Sequence, residues 1–197
     1  MAVKWSEPTP GDTCLDLCCG SGDLAQLLAR QVGSTGCVYG VDFSCEQLAI
    51  ARSRSQTSFL PCPINWIEAD VLNLPFASNQ FDCATMGYGL RNVTDIPKCL
   101  HELHRVLKPG AKAAILDMHR PSSPQMRAFQ QWYLDNIVVP TAKQFGLTED
   151  YAYIAPSLEK FPTGEEQVDL ARQAGFTPST HYAIAGGAMG VLLVTKA

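Results

Sequence analysis

The stretch Cys14–Asp23, CLDLCCGSGD, constrains what this chain can fold into more than any other part of it. It begins as an apolar strand, turns on Gly20-Ser21-Gly22, and runs directly into the helical Leu24-Ala25-Gln26-Leu27-Leu28-Ala29-Arg30. Strand, tight glycine turn and helix make the phosphate- or nucleoside-cradling unit of open α/β sheets. Glycines there let backbone amides approach a ligand that side chains would block. A second acid follows on cue: Asp42 closes the apolar run Val38-Tyr39-Gly40-Val41, about 20 residues past the turn, where such folds place an acceptor for ribose hydroxyls. The turn itself is only G-x-G, with Cys18 where a full dinucleotide fingerprint has its first glycine. No Lys follows the glycines, which excludes a Walker phosphate loop.

The rest of the sequence alternates in the way that unit requires. Thr13–Cys18, Cys37–Asp42, Ile64–Ala69, Phe81–Met86 and Ala111–Leu116 read as strands. Asp23–Gln31 and Cys45–Ser53 read as helices, the second capped by Ser44, and Asp23 suits the dipole of the first. Residues 95–107 carry Ile96, Leu100, Leu103 and Leu107 at helical spacing, and Lys108-Pro109-Gly110 stops that helix. Thr163–Ala174 opens with Thr163 and Glu166 in capping-box spacing. Ser179–Ala185 and Met189–Thr195 form a terminal strand pair joined through Gly186-Gly187. Residues 1–12 read as a polar lead-in, and residues 121–160 as a helical cap insert rich in aromatics (Phe129, Trp132, Tyr133, Phe145, Tyr151, Tyr153). That insert has two readings. Trp132, Ile137 and Val138 pack on the sheet, or the helices hold an apolar tail and touch a membrane surface, and both can hold with one helix face each. The sum is one domain: a doubly wound, seven-stranded, mostly parallel sheet with a helical cap insert and a C-terminal antiparallel pair.

Composition narrows the partners. With 15 basic and 19 acidic residues the net charge is −4, which argues against nucleic acid, since phosphate contacts need a basic face. No apolar run is long enough to span a bilayer. The eight cysteines lie between Cys14 and Cys99, with no CxxC and no Cys/His ligand cluster. They read as reduced, buried small hydrophobes, and no metal site is expected. The strand ends carry Asp16, Asp42, Asp70, Gly87-Tyr88 and Asp117. Acids at successive strand ends suit sugar hydroxyls, a purine amino group and an ammonium, and suit a pyrophosphate poorly.

The segments CLDLCCGSGDLA, GVDFSCEQL, ADVLNLPF, GYGLRNV and HRVLKPGA, in that order, resemble the ubiquinone/menaquinone C-methyltransferases. The resemblance runs from about Thr13 to Lys196 and is closest in detail to the cyanobacterial and plastid branch, through MGYGLRN, FQQWYLDNIVVP and HYAIAGGAMG. It implies a class I, Rossmann-like fold that uses S-adenosylmethionine. It further implies C-methylation of a prenylated naphthoquinol ring, 2-phytyl-1,4-naphthoquinol to phylloquinol, in phylloquinone or menaquinone synthesis. Asp16, Gly20, Ser21, Gly22 and Gly87 would lie at the methionine end, Asp42 on the ribose, Phe43 beside the adenine, and Asp70 and Val71 at its edge. For Asp70 the plain alternative is a turn cap before Leu72. Arg91 and Asn92 would be catalytic; because guanidinium stays protonated, Arg91 would stabilise a developing phenolate rather than act as a base. The plain alternative for Arg91 is a salt bridge to Asp95 or Glu102. Tyr88, Asp117 and His119 would meet the substrate, with Asp117, His119 and Tyr88 as candidate proton acceptors. His119 also reads as an exposed loop residue, and His101, His104 and His181 as structural.

Relatives of this type carry an N-terminal helical segment over the cofactor, and the sequence starts at MAVKW without it. The expectation is a weakened grip on the cofactor. The resemblance places the protein in a cyanobacterial cytoplasm or plastid stroma, with peripheral membrane contact and a homo-oligomer both compatible. Two competing functions remain: a cofactor-binding protein with little activity, and a Rossmann-type oxidoreductase, which the incomplete glycine fingerprint and the acid-rich strand ends disfavour.

Overall fold

The computed structural model describes residues 1–119, 121, 123–133, 136–137, 140 and 154–197. Its strands are β1 (Thr13–Leu17), β2 (Cys37–Asp42), β3 (Ile64–Glu68), β4 (Phe81–Gly87), β5 (Leu107–Met118), β6 (Phe176–Ile184) and β7 (Met189–Lys196). They form one sheet in the order β3-β2-β1-β4-β5-β7-β6. β1 to β5 run parallel, β7 is antiparallel to β5, and β6 is antiparallel to β7. The order reverses at β1, which pairs with β2 on one side and β4 on the other. Ligands of such sheets bind outside the strand carboxyl ends at that switch point.

The alternation of each strand divides its side chains between two helical layers. Leu15 and Leu17 point to the face that also buries Val41, Phe81 and Met86. That face is covered by α4 (Ile96–Val106), through Leu100 and Leu103, and by the helix Gly164–Gln173, through Ala171. Cys14, Val38 and Cys83 point the other way, onto Ala25, Leu28, Ala29 and Val32 of α2 (Asp23–Val32). A ring cluster of Tyr39, Phe76 and Phe81, with centroids 4.9–5.6 Å apart, fills the first face.

The caps follow the sequence chemistry. Ser44 accepts from the Gln47 amide at the start of α3 (Cys45–Thr57), and Asp95 accepts from the Lys98 amide at the start of α4. Thr163 and Glu166 exchange hydrogen bonds as a capping box.

Four expectations need correction. Residues 1–12 are not simply a polar lead-in: α1 (Ala2–Trp5) buries Ala2 against Ala114 and Val191, and Val3 in the α2 layer. Apolar residues so few in number give no periodicity to read. α3 continues past Ser53 to Thr57, since nothing before Ser58 breaks it. β5 begins at Leu107, before Lys108-Pro109-Gly110; the helix stops there as expected, but the backbone passes straight into the strand through an irregular pairing with β4. β6 likewise begins at Phe176, whose ring is fully buried. All eight cysteines are free; five are buried as expected of small core residues, but Cys18 and Cys37 are half-buried and Cys45 is exposed.

The insert contains α5 (Pro124–Tyr133) and α6 (Ile154–Lys160), followed by α7 (Gly164–Gln173). Phe129, Trp132, Tyr133 and Ile137 are all exposed, so the packing reading fails for Trp132 and Ile137. Val138, Phe145, Tyr151 and Tyr153 lie outside the described residues. Among the described residues no helix is long and apolar enough to cross a membrane.

Candidate active site

A crevice of about 440 Å³ opens at the switch point, lined by Asp42, Phe43, Asp70, Val71, Tyr88 and Asn92 among others. β2, β3 and β4 deliver these residues at their carboxyl ends, as parallel strands must. Among the described residues its lining holds two carboxylates and no cationic side chain. Asp42 is 7% exposed. Its Oδ2 accepts from the Gly20 amide at 2.8 Å and its Oδ1 from the Ser44 amide at 2.9 Å. Each oxygen keeps a second lone pair, so the carboxylate can still accept from a diol. Phe43 is 80% exposed at the rim, free to lie against a flat ring. Asp70 does cap a turn, accepting from the Leu72 amide through Oδ1 at 2.9 Å, and it lines the crevice as well.

The glycine turn separates into distinct duties. Cys18 and Gly20 have positive φ (49° and 50°), and a Cβ on Gly20 would meet nothing nearer than Gln47 Oε1 at 3.9 Å. Its front is open to a ligand. Gly22, at φ 86°, faces inward, and a Cβ there would collide with the Trp66 ring. The Ser21 carbonyl and hydroxyl are taken by Arg54 at 3.0 and 2.6 Å, and the same guanidinium reaches Asp23. Gly87 abuts Leu24, where a Cβ would approach Cδ1 to 2.9 Å. Asp16 sits behind the turn at 1% exposure. Its Oδ1 accepts from the Thr85 hydroxyl at 2.7 Å, while its Oδ2 has no hydrogen-bond partner. Burial pushes its pKa up to about 7 against that hydrogen bond. A partnerless buried carboxylate oxygen is what a cationic ligand group would complete. The residues present thus fit S-adenosylmethionine: acceptors for a ribose, an open amide turn, and an orphaned acid for an ammonium.

The GYGLRN segment builds the next wall. Tyr88 holds a left-handed φ of 58°, rare for a bulky residue and worth reading as function. That conformation aims its carbonyl at Arg91 Nη1 (3.0 Å) and Asn92 Nδ2 (3.4 Å). Arg91 does form a salt bridge, though neither Asp95 nor Glu102 is its partner. Asp95 caps α4, and Glu102 pairs with Arg105. Arg91 Nη1 meets Asp117 Oδ1 at 2.6 Å, with the two side chains 11% and 2% exposed. Asp117 also accepts from the Arg91 and Met118 amides. Burial raises its pKa even so, with Arg91 opposing. The buried Asp117 carboxylate thus receives three hydrogen bonds and anchors Arg91. Burial also raises the Tyr88 phenol, which keeps it a donor.

His119 is corrected as well. It is buried, at 7% exposure, with Nε2 2.9 Å from Gln167 Nε2 and 3.0 Å from His181 Nε2. It lines a separate hollow of about 850 Å³ beside α7, with Thr163, Arg172 and His181. A loop histidine looks exposed in sequence because the antiparallel β6 that covers it comes 62 residues later. His104 packs edge-on to Phe176, and His181 fills space left by Gly164 and Gly190. Among the described residues no group of three or more metal-ligating side chains converges. Sequence reasoning missed Thr85, Val93 and Thr94 at the site; only the pairing of β1 with β4 reveals the first.

The profile of the ubiE/COQ5 methyltransferase family matches residues 1–196. The chain belongs to that family. It is 68% identical over 196 residues to the 2-phytyl-1,4-naphtoquinone methyltransferase of Nostoc punctiforme, covering 100% of this chain and 85% of that one. It is 48% identical over 198 residues to the chloroplastic 2-phytyl-1,4-beta-naphthoquinone methyltransferase of Arabidopsis thaliana, covering 100% and 76%. A SAM-dependent methyltransferase from Aquifex aeolicus shares the fold at TM-score 0.72 and 20% identity, over 99% of this chain and 87% of that one. As a member of the family the protein is a methyltransferase, and its cofactor is S-adenosylmethionine. The oxidoreductase alternative falls with that assignment.

Proposed function

We propose that the protein methylates a ring carbon of a prenylated naphthoquinol, 2-phytyl-1,4-naphthoquinol or a close analogue, in phylloquinone synthesis, as the names of the Nostoc and Arabidopsis relatives indicate for those proteins. When bound, S-adenosylmethionine supplies an electrophilic methyl group. The observation that carries the reading is Asp42, which braces the Gly20 amide while lining an acid-rich crevice. Asp42 accepts from the ribose, Phe43 flanks the adenine, and Asp70 and Val71 meet its edge. Asp16, Gly20, Ser21, Gly22 and Gly87 frame the methionine end, with Ser21 acting through the fold of the turn because its hydroxyl is taken by Arg54.

The protein's main task is alignment of ring carbon with methyl. A ring carbon becomes a good nucleophile as a quinol oxygen loses its proton, so the reduced quinol is the substrate. Arg91 stabilises that oxygen as charge develops, Asn92 fixes its direction, and Tyr88 donates from the crevice wall. The ring carbon that gains the methyl then sheds its own proton and the aromatic quinol is restored, so one net proton per turnover passes to water at the open mouth, since Asp117 and His119 are both engaged elsewhere. The stacked, exposed rings of Phe129, Trp132 and Tyr133 offer an apolar surface for the prenyl tail at a membrane face. Incubation with S-adenosylmethionine labelled in its methyl tests the reading. Label is expected in the reduced quinol and not in the quinone; equal labelling of both, or none in the quinol when the cofactor is bound, overturns it.

A further inference from the structure

We propose that Thr85 is a positioning residue for cofactor capture: by holding one oxygen of Asp16 it reserves the other for the ammonium group of the cofactor. This rests on the reading of Asp16 as the acid at the methionine end of the site. Thr85 and Asp16 are register partners across β1 and β4, and each is 1% exposed. The hydroxyl donates to Oδ1 at 2.7 Å. The Thr85 hydroxyl fixes the rotation of the carboxylate and divides its oxygens; Oδ2 is buried with no donor in hydrogen-bond geometry, although the Ala25 amide at the start of α2 also favours the charged form.

The groups around Asp16 give the division a consequence. Burial is the largest influence raising its pKa to about 7, and the carboxylates of Asp42 on β2 and Asp23 on α2 push the same way. The Thr85 hydroxyl and the Ala25 amide of α2 oppose them. The neighbouring thiols, Cys18 and Cys19 in the turn, are themselves raised by burial and stay neutral. Near neutral pH a large share of the free protein therefore carries a proton on Asp16. A cation can settle at Oδ2 only as that proton leaves to buffer, so capture releases a proton, and Thr85 sets the pH at which this becomes easy.

Titration calorimetry with S-adenosylmethionine between pH 5.5 and 8, in two buffers of different ionisation enthalpy, tests this without turnover. The wild-type protein should lose affinity about tenfold per pH unit below 7 and release a proton on binding. Thr85→Val, nearly isosteric, should move that curve up by about one pH unit and weaken binding at pH 7 about fivefold, with recovery toward pH 8. Thr85→Ser, which keeps the donor, should restore the wild-type curve. Affinity of Thr85→Val equal to wild type at every pH, with binding lost in Asp16→Asn, overturns the role of Thr85 and leaves that of Asp16 standing. Wild-type binding by Asp16→Asn overturns both.

Discussion

Replacing Asp117 with leucine removes one half of the ion pair that holds Arg91. It leaves a guanidinium whose side chain is only 11% exposed without its anion. The Arg91 and Met118 amides lose their acceptor in the same step. Removing one partner of a buried pair costs about 3–5 kcal/mol, most of it from the charge left behind. For a protein of this size a urea dependence of about 2 kcal/mol per molar turns that into a midpoint lower by roughly 2 M. The double variant Arg91→Met/Asp117→Leu should behave differently. Burial raises the Asp117 pKa in spite of Arg91, so desolvation outweighs the attraction within the pair. Replacing both charges by apolar groups of similar volume should therefore recover most of the loss. The assay is urea denaturation of wild type, both single variants and the double. A cost below about 1 kcal/mol for Asp117→Leu, as for an exposed pair, would falsify the picture of a buried anchor. So would a double variant whose cost is the sum of the singles.

Other outcomes follow from the same geometry. Asp16 has a raised folded-state pKa, so its contribution to stability is full below about pH 4 and is lost as pH rises toward 7. Relative to Asp16→Asn, the cofactor-free wild type should lose about 1.4 kcal/mol per pH unit across that window and then level off; parallel pH profiles would contradict the shift. Gly22→Ala combines a left-handed φ of 86° with a collision on Trp66, and should cost about 2–4 kcal/mol in a thermal melt. Gly20→Ala, with open space ahead of it, should cost less stability but weaken cofactor binding, read by calorimetry. Thr163→Ala removes one half of a capping box and should lower stability by about 1 kcal/mol by urea titration.

Much of this could be read from the sequence before its fold was known, because local chemistry determined it. The glycine turn, the acids at the ends of β1 and β2, the Ser44 cap and the capping box at Thr163 each depend on residues close together in sequence. What escaped depends on distant strands. Asp117 looked like a free acid at a strand end, yet it meets Arg91, 26 residues earlier. Thr85 carries no signal of its own until parallel register sets it beside Asp16, 69 residues away. His119 looked exposed because its cover arrives from β6 and α7. Ala2 and Val3 gave too short an apolar run to show that they are buried.

The central claim is methyl transfer to a ring carbon of the reduced quinol in the crevice between Asp42 and Asn92. A single turnover with S-adenosylmethionine carrying a carbon-13 methyl, and 2-phytyl-1,4-naphthoquinol kept reduced, tests it most directly. The account predicts that the labelled carbon appears in the NMR spectrum as a methyl bonded to the ring carbon. A label found on a quinol oxygen, or a quinol left unlabelled by protein saturated with cofactor, would contradict it.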